Sequence, residues 1–389
     1  MPKKKQILPL QEGSEDMKTA ISESRTVKIS EATTLITRAF KKKRPVFLWG
    51  PPGIGKSELV QEIGDSGALG NTLVIDMRLA LFEPTDLRGY PVPNMETGVM
   101  QWLPPADLPS KELAAQYDTV IVFLDEMNSA APSVQAAGYQ LILNRRIGQY
   151  ELPDNVVMIA AGNRETDKGV TYRMPAPLSN RFVHLEMRVD YDSWLEWAVN
   201  NNIHSDVIAH ITVHKQDLFD FDPRSSSRSF ATPRSWTFVS DLIEDGDLDN
   251  ETLADLVSGA VGEGVGVKFM ATMKNSGKLP NPSDVLAGKV KDLDKSVEIS
   301  GRYSLTVSMC YELREQFEKF GKKDIETFHK AADNFFRFMM DNFETEMVVL
   351  GARAALVTYK IPLRPKYLKN YKEFYDRFGS YIKASHSAT

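Results

Sequence analysis

Between an apolar run and a helical pattern the chain places Gly50, Pro51, Pro52, Gly53, Ile54, Gly55, Lys56, Ser57 and Glu58 in succession. Residues 50–57 satisfy the spacing G-x-x-x-x-G-K-[ST]. Glycines let backbone N–H groups converge on phosphate oxygens without obstruction by Cβ, and a following helix adds its positive N-terminal end. In such a loop the lysine, Lys56, reaches the β- and γ-phosphates, and the Ser57 hydroxyl ligates Mg²⁺. A second set of groups lies at "VIVFLDE", where Asp125 and Glu126 close an apolar strand. Open parallel sheets bind ligands at the carboxyl ends of their strands. Downstream of a phosphate loop, the first acid holds Mg²⁺, usually through water, and the second takes or orients the proton of the attacking water. "VVMIAAGNR" ends in Asn163, whose amide suits both a γ-phosphate and a lytic water. Arg181 stands just before another strand, and Arg234 opens a helix after a proline suited to a first turn. Arginine fits both places because its charge is permanent and its fork matches phosphate oxygens.

These groups need a frame, and the apolar patterning predicts one. Short β-branched strands at 45–50, 72–80, 119–126, 156–163 and 181–187 alternate with helical stretches. Each strand is apolar on both faces, which implies a parallel sheet covered by helices on both sides. Ahead of the loop, Ala32, Leu35, Ile36 and Phe40 recur at helical spacing, with Ser30 as the expected N-cap. Residues 82–110 are too rich in proline to form one regular element. Beyond residue 190 the pattern is helical throughout.

The chain has 389 residues and a net charge of −5, from 47 basic and 52 acidic residues. This balance gives no global pull toward nucleic acid or anionic membrane. No apolar run reaches the roughly 18 residues needed to span a bilayer. A single cysteine, Cys310, excludes an internal disulfide and any multi-cysteine zinc site. It is expected as a small core residue, and the protein reads as cytoplasmic.

Taken together and in order, these segments resemble an AAA+ ATPase of the MoxR family, in the clade that carries a helix-2 insert. "GPPGIGKSE" resembles its Walker A motif, and "VFLDEMNSAAPSVQAAGYQLILNRRI" its Walker B strand and following helix. "MIAAGNRETDKGVTYRMPAPLSNRF" resembles the stretch from sensor 1 to the arginine finger, and "FATPRSW" sensor 2. "EPTDLRGYPVPNMETGVMQWLPPADLP" is similar to the helix-2 insert, and "RRIGQYELPDNVVMI" to the hairpin before sensor 1.

The resemblance covers about 30–275. It implies an α/β fold: a P-loop parallel sheet flanked by helices, then an all-α lid and an additional C-terminal helical region. The implied organisation is a flexible leader over 1–25 and a nucleotide-binding core over 26–190. Within the core fall the insert at about 82–110 and the hairpin at about 145–156. A helical lid over 191–275, a linker over 276–284 and a helical extension over 285–389 follow.

Carried over, the ligands are ATP and Mg²⁺. Residues 50–58 cradle the nucleotide, Ser57 and Asp125 hold the metal, and Glu126 activates water. Asn163 is sensor 1, Arg234 is sensor 2, and Arg181 is a finger offered to the neighbouring subunit. Arg164 and Arg173 lie in the same region and compete for that last role. The family implies a ring, commonly a hexamer. Its client is a protein, often one bearing a von Willebrand factor A domain. Three functions follow: a motor that remodels a protein partner, a DNA-metabolism ATPase of the clamp-loader or helicase-loader type, and a nucleotide-gated scaffold. The insert argues against a clamp loader and the acidic balance against a dedicated DNA binder. The presence of Glu126 and Arg181 argues against a scaffold without turnover.

Overall fold

Six short parallel strands build the sheet that carries the loop. The structure, a computed structural model, describes residues 26–386 except 168–170, 247, 277–278, 321–323 and 364. The stretch read as a leader, 1–25, lies outside the described residues. Two compact units are present: the chain up to Pro51 with Lys56–Arg188, and Pro52–Gly55 with Val189 onward.

In the first unit the strands are β1 (Thr26–Val27), β2 (Val46–Trp49), β3 (Thr72–Arg78), β6 (Thr119–Asp125), β9 (Val156–Gly162) and β10 (Val183–Met187). Their order is β1-β10-β2-β9-β6-β3, and every pairing is parallel. Val120 to Leu124 of β6 and all of β9 are buried, as a strand covered on both faces requires. Helices Ile29–Phe40, Lys56–Asp65 and Pro132–Asn144 are among those that flank the sheet.

Two local expectations are corrected. The first helix is capped by Lys28, not Ser30, because the chain leaves β1 extended and turns at Lys28, whose carbonyl accepts the Ala32 N–H at 3.0 Å. Leu35 stays 42% exposed, while Ala32, Ile36 and Phe40 are buried. Strand β1 itself carries too little pattern, at two residues, to be seen in the sequence. Within 82–110 the chain forms a short helix, Pro84–Arg88, and an antiparallel hairpin of β4 (Tyr90–Asn94) and β5 (Val99–Leu103). A second hairpin, β7 (Arg146–Ile147) with β8 (Tyr150–Glu151), precedes β9.

The second unit is helical. One continuous apolar cluster runs from Trp194 to Phe378, so helices on both sides of 276–284 share a core. That stretch leads into helix Pro282–Leu286, whose Val285 and Leu286 are buried. Cys310 is fully buried there, and burial raises its thiol above the ordinary range. No described helix is long and apolar enough to cross a membrane.

Inside this core His210 is completely buried, 5.3 Å from the Trp236 ring and 5.4 Å from that of Phe269. Its Nδ1 is 3.1 Å from the Thr272 hydroxyl, and its Nε2 lies 3.4 Å from Asp217, which also accepts from Lys268 at 3.2 Å. Burial, reinforced by His214, lowers its pKa from 6.5 to about 4 despite the pull of Asp217. The folded state therefore binds fewer protons than the unfolded chain between these two values. Stability is full above pH 6.5 and falls with pH toward 4, by up to ~3 kcal/mol. Urea melts at pH 7.5 and 4.5 check this: His210→Gln should flatten the acid loss.

Candidate functional site

The loop joining β2 to helix Lys56–Asp65 is fixed at its start by the Gly50 N–H, which donates to the Gly162 carbonyl at 3.3 Å. Pairing of β2 with β9, and of β9 with β6, brings three strand ends side by side. Lys56, Asn163 and Asp125 therefore converge although they are far apart in sequence. Lys56 Nζ donates to the carbonyls of Gly50 (2.8 Å) and Pro51 (2.9 Å), and to Asn163 Oδ1 at 3.3 Å. Ser57 Oγ donates to Asp125 Oδ2 at 3.2 Å. Asp125 is only 7% exposed, and its Oδ1 accepts the Glu126 N–H at 2.8 Å.

Glu126 sits in the left-handed region, with φ 52°. For a residue with a side chain that conformation costs about 1–2 kcal/mol. Two bonds hold it there: the Asp125 carboxylate on its N–H, and the Met127 N–H on the Ala161 carbonyl at 2.9 Å. Glu126 is half-buried, with no hydrogen-bond or ion-pair partner for its carboxylate among the described residues. Of the remaining loop residues, Pro51 and Ile54 are buried and Pro52 half-buried, while Glu58 is exposed in the first helical turn.

Asn128 is the residue that sequence reasoning missed. It is 1% exposed; its Nδ2 donates to the Asn163 carbonyl at 2.7 Å and its Oδ1 accepts the Asn163 N–H at 3.2 Å. This double bond pattern fixes the backbone of Asn163 as a neighbouring strand would. Gly162 makes room for it, since a Cβ there would collide with the Asn128 amide. The available signal was the polar Asn128 in the otherwise buried stretch after β6, facing a glycine at the end of β9. Asp76 is a second miss. Arg78 of β3 pairs in register with Asp125, so Asp76 lies one pleat back on the same face. Asp76 is exposed as a residue, yet partial desolvation of its carboxyl, then the charge of Asp125, raises it above its ordinary range, with Arg78 opposing.

The three competing arginines differ. Arg164 is spent within its own unit, donating to Asp167 from Nη2 at 3.0 Å and to Glu186 from Nη1 at 3.4 Å. Arg173 and Arg181 are exposed and have no such partners among the described residues. Arg173 lies in an irregular stretch. Arg181 follows helix Ala176–Ser179 on a turn closed by its own N–H to Leu178 at 3.0 Å and anchored by buried Phe182.

Arg234 belongs to the second unit, exposed in the first turn of helix Pro233–Ile243. Its N–H donates to the carbonyl of Gly53, a residue of that unit, at 3.2 Å. Gly53 has φ +75°, and a Cβ there would meet the Thr232 hydroxyl at 2.8 Å.

The chain is similar to several known proteins. Over 176 residues, 43% of this chain, the sequence is 28% identical to midasin of Giardia intestinalis; the match spans 3% of that protein. Among solved structures, NtrX of Brucella abortus in complex with ADP aligns with a TM-score of 0.39 and 17% identity. That alignment covers 83% of this chain and 66% of NtrX. The RuvB Holliday junction branch migration motor of Thermotoga maritima aligns with a TM-score of 0.32 and 15% identity, over 76% of each chain. Residues 45–182, which hold the phosphate loop, both acids, Asn163 and Arg181, match the family model described as the AAA domain of the dynein-related subfamily.

Proposed function

We propose that this chain is a Mg²⁺-dependent ATPase of MoxR-like type that works as a ring, commonly a hexamer in that family, to remodel or assemble a protein partner. A protein bearing a von Willebrand factor A domain is the client class that the resemblance implies. The observation that carries the ATPase reading is the convergence of Lys56, Ser57, Asp125 and Asn163 at adjacent ends of parallel strands. The match of 45–182 to the AAA domain supports it.

In this reading the loop over 50–58 wraps the phosphates, and Lys56 exchanges its carbonyl contacts for β- and γ-oxygens. Asn163, held by Asn128, reads the γ-phosphate. Glu126 accepts the proton of the attacking water. Arg181 reaches the site of the next subunit, and Arg234 acts as sensor 2. For the metal, Ser57 Oγ and Asp125 Oδ2 already lie 3.2 Å apart, two hard oxygens of the kind Mg²⁺ prefers. No cluster of three or more His, Cys, Asp or Glu forms a metal cage among the described residues. That fits an ion held by one or two protein groups plus phosphates. When bound, Mg²⁺ neutralises phosphate charge.

The test is phosphate release from ATP by the purified chain, with and without Mg²⁺, and with duplex or single-stranded DNA across a salt series. Hydrolysis should require Mg²⁺ and ignore DNA. Stimulation by DNA that fades steeply with salt would favour a DNA-metabolism role instead. Absence of hydrolysis under every condition, with ATP still bound, would favour the scaffold.

A further inference from the structure

The strand that feeds the phosphate loop and the turn that carries Arg181 are joined by one side chain. His184 of β10 pairs in register with Phe47 of β2, so both side chains stand on one face of the sheet. Trp49, the last residue of β2 and the one before Gly50, donates its indole N–H to His184 Nδ1 at 2.8 Å. The opposite ring nitrogen, Nε2, lies 2.8 Å from the carbonyl of Ser179 and 3.3 Å from its hydroxyl. An indole N–H can only donate, so Nδ1 is the acceptor and the ring proton resides on Nε2, where it donates to the Ser179 carbonyl. Phe47 stacks on Trp49 at 4.2 Å and meets Phe182 edge-on at 5.3 Å, which fixes the orientation of the indole. Ser179 and Phe182 bracket Arg181.

We infer that His184 is a positioning residue for Arg181, holding the turn 179–182 against the strand that leads into the phosphate loop. It touches neither nucleotide nor metal. The inference rests on the reading of Arg181 as a group offered to a neighbouring subunit. It adds the device that sets the guanidinium's height above the sheet and links it to the loop of its own subunit.

Two substitutions separate the two bonds. His184→Gln carries an amide N–H at the position of Nε2 and keeps the bond to Ser179 while losing the acceptor for Trp49. His184→Asn keeps an acceptor at the position of Nδ1 and loses the reach to Ser179. Misplacing a reacting group by about 1 Å costs on the order of 100-fold in rate. Expected for His184→Asn is therefore a fall in kcat of about 10- to 100-fold, with KM for ATP within about two-fold of the parent. His184→Gln should retain most of its turnover.

The decisive arm mixes His184→Asn with Glu126→Gln subunits. Intact acids from the first and a well-placed Arg181 from the second meet at mixed interfaces, so activity should recover. Equal loss in the Asn and Gln variants, or no recovery on mixing, would overturn the inference, because His184 would then act through packing or through its own subunit's loop. If His184→Asn does not fold, Trp49→Phe removes the N–H that fixes the tautomer but keeps an aromatic ring. Because Nε2 can still donate to the Ser179 carbonyl, its turnover should stay, like that of His184→Gln, within about three-fold of the parent with ATP affinity unchanged, and a fall of the size expected for His184→Asn would overturn the inference. An Arg181→Ala variant with full activity would instead bring down the reading on which it rests.

Discussion

Arg181→Ala should bind ATP with the affinity of the parent and lose about 10³–10⁵ of its turnover, the range an arginine finger supplies. The guanidinium has no partner within its own chain among the described residues and sits on a turn anchored by Phe182. Removing it thus disturbs no described side-chain contact, and the melting temperature should not move. Arg164 offers the contrast. Its fork is bonded to Asp167 and Glu186, so Arg164→Ala should loosen the backbone beside Asn163 and lower stability. An isothermal titration with a slowly hydrolysed ATP analogue, paired with a phosphate-release assay, distinguishes the two. Loss of binding in Arg181→Ala would mean that the residue serves its own subunit's nucleotide.

Glu126→Gln should likewise bind ATP and stall. A positioned general base is worth about 10²–10⁴ in rate, and the amide keeps the size of the carboxylate while losing its basicity. Because the strained φ at residue 126 is maintained by backbone bonds and Asp125, the substitution leaves the turn intact. ATP should therefore accumulate on the protein and hold subunits together, visible as a larger assembly by light scattering. Retained turnover would move the base elsewhere.

Much of this site could be read before any coordinates. The phosphate loop, the acids closing β6 and the amide closing β9 were legible because each follows an apolar run whose burial on both faces dictates a parallel strand. An open parallel sheet leads one to expect the strand ending at Asn163 beside the one ending at Asp125, and β9 does pair with β6; that β2 lies on the other side of β9 was not written in the sequence. What escaped depends on contacts between segments distant in sequence. Asn128 looked like an ordinary residue of a strand-to-helix turn until Gly162 was seen to leave space for it. Asp76 passed as a strand residue because register between β3 and β6 is not written in either strand alone. The bonds of His184 to Trp49 and Ser179 needed the parallel pairing of β10 with β2. Among the helices, apolar spacing showed which faces were buried but not which helices they faced. The common core on both sides of 276–284 was accordingly invisible.

Specific ATPase activity measured against protein concentration, from far below to well above the point of assembly, tests the central claim most directly. With acids from one copy and a guanidinium from the next, activity per chain should rise steeply as subunits associate and approach zero on dilution. A flat profile, with the dispersed single chain as active as the concentrated one, would contradict a shared site.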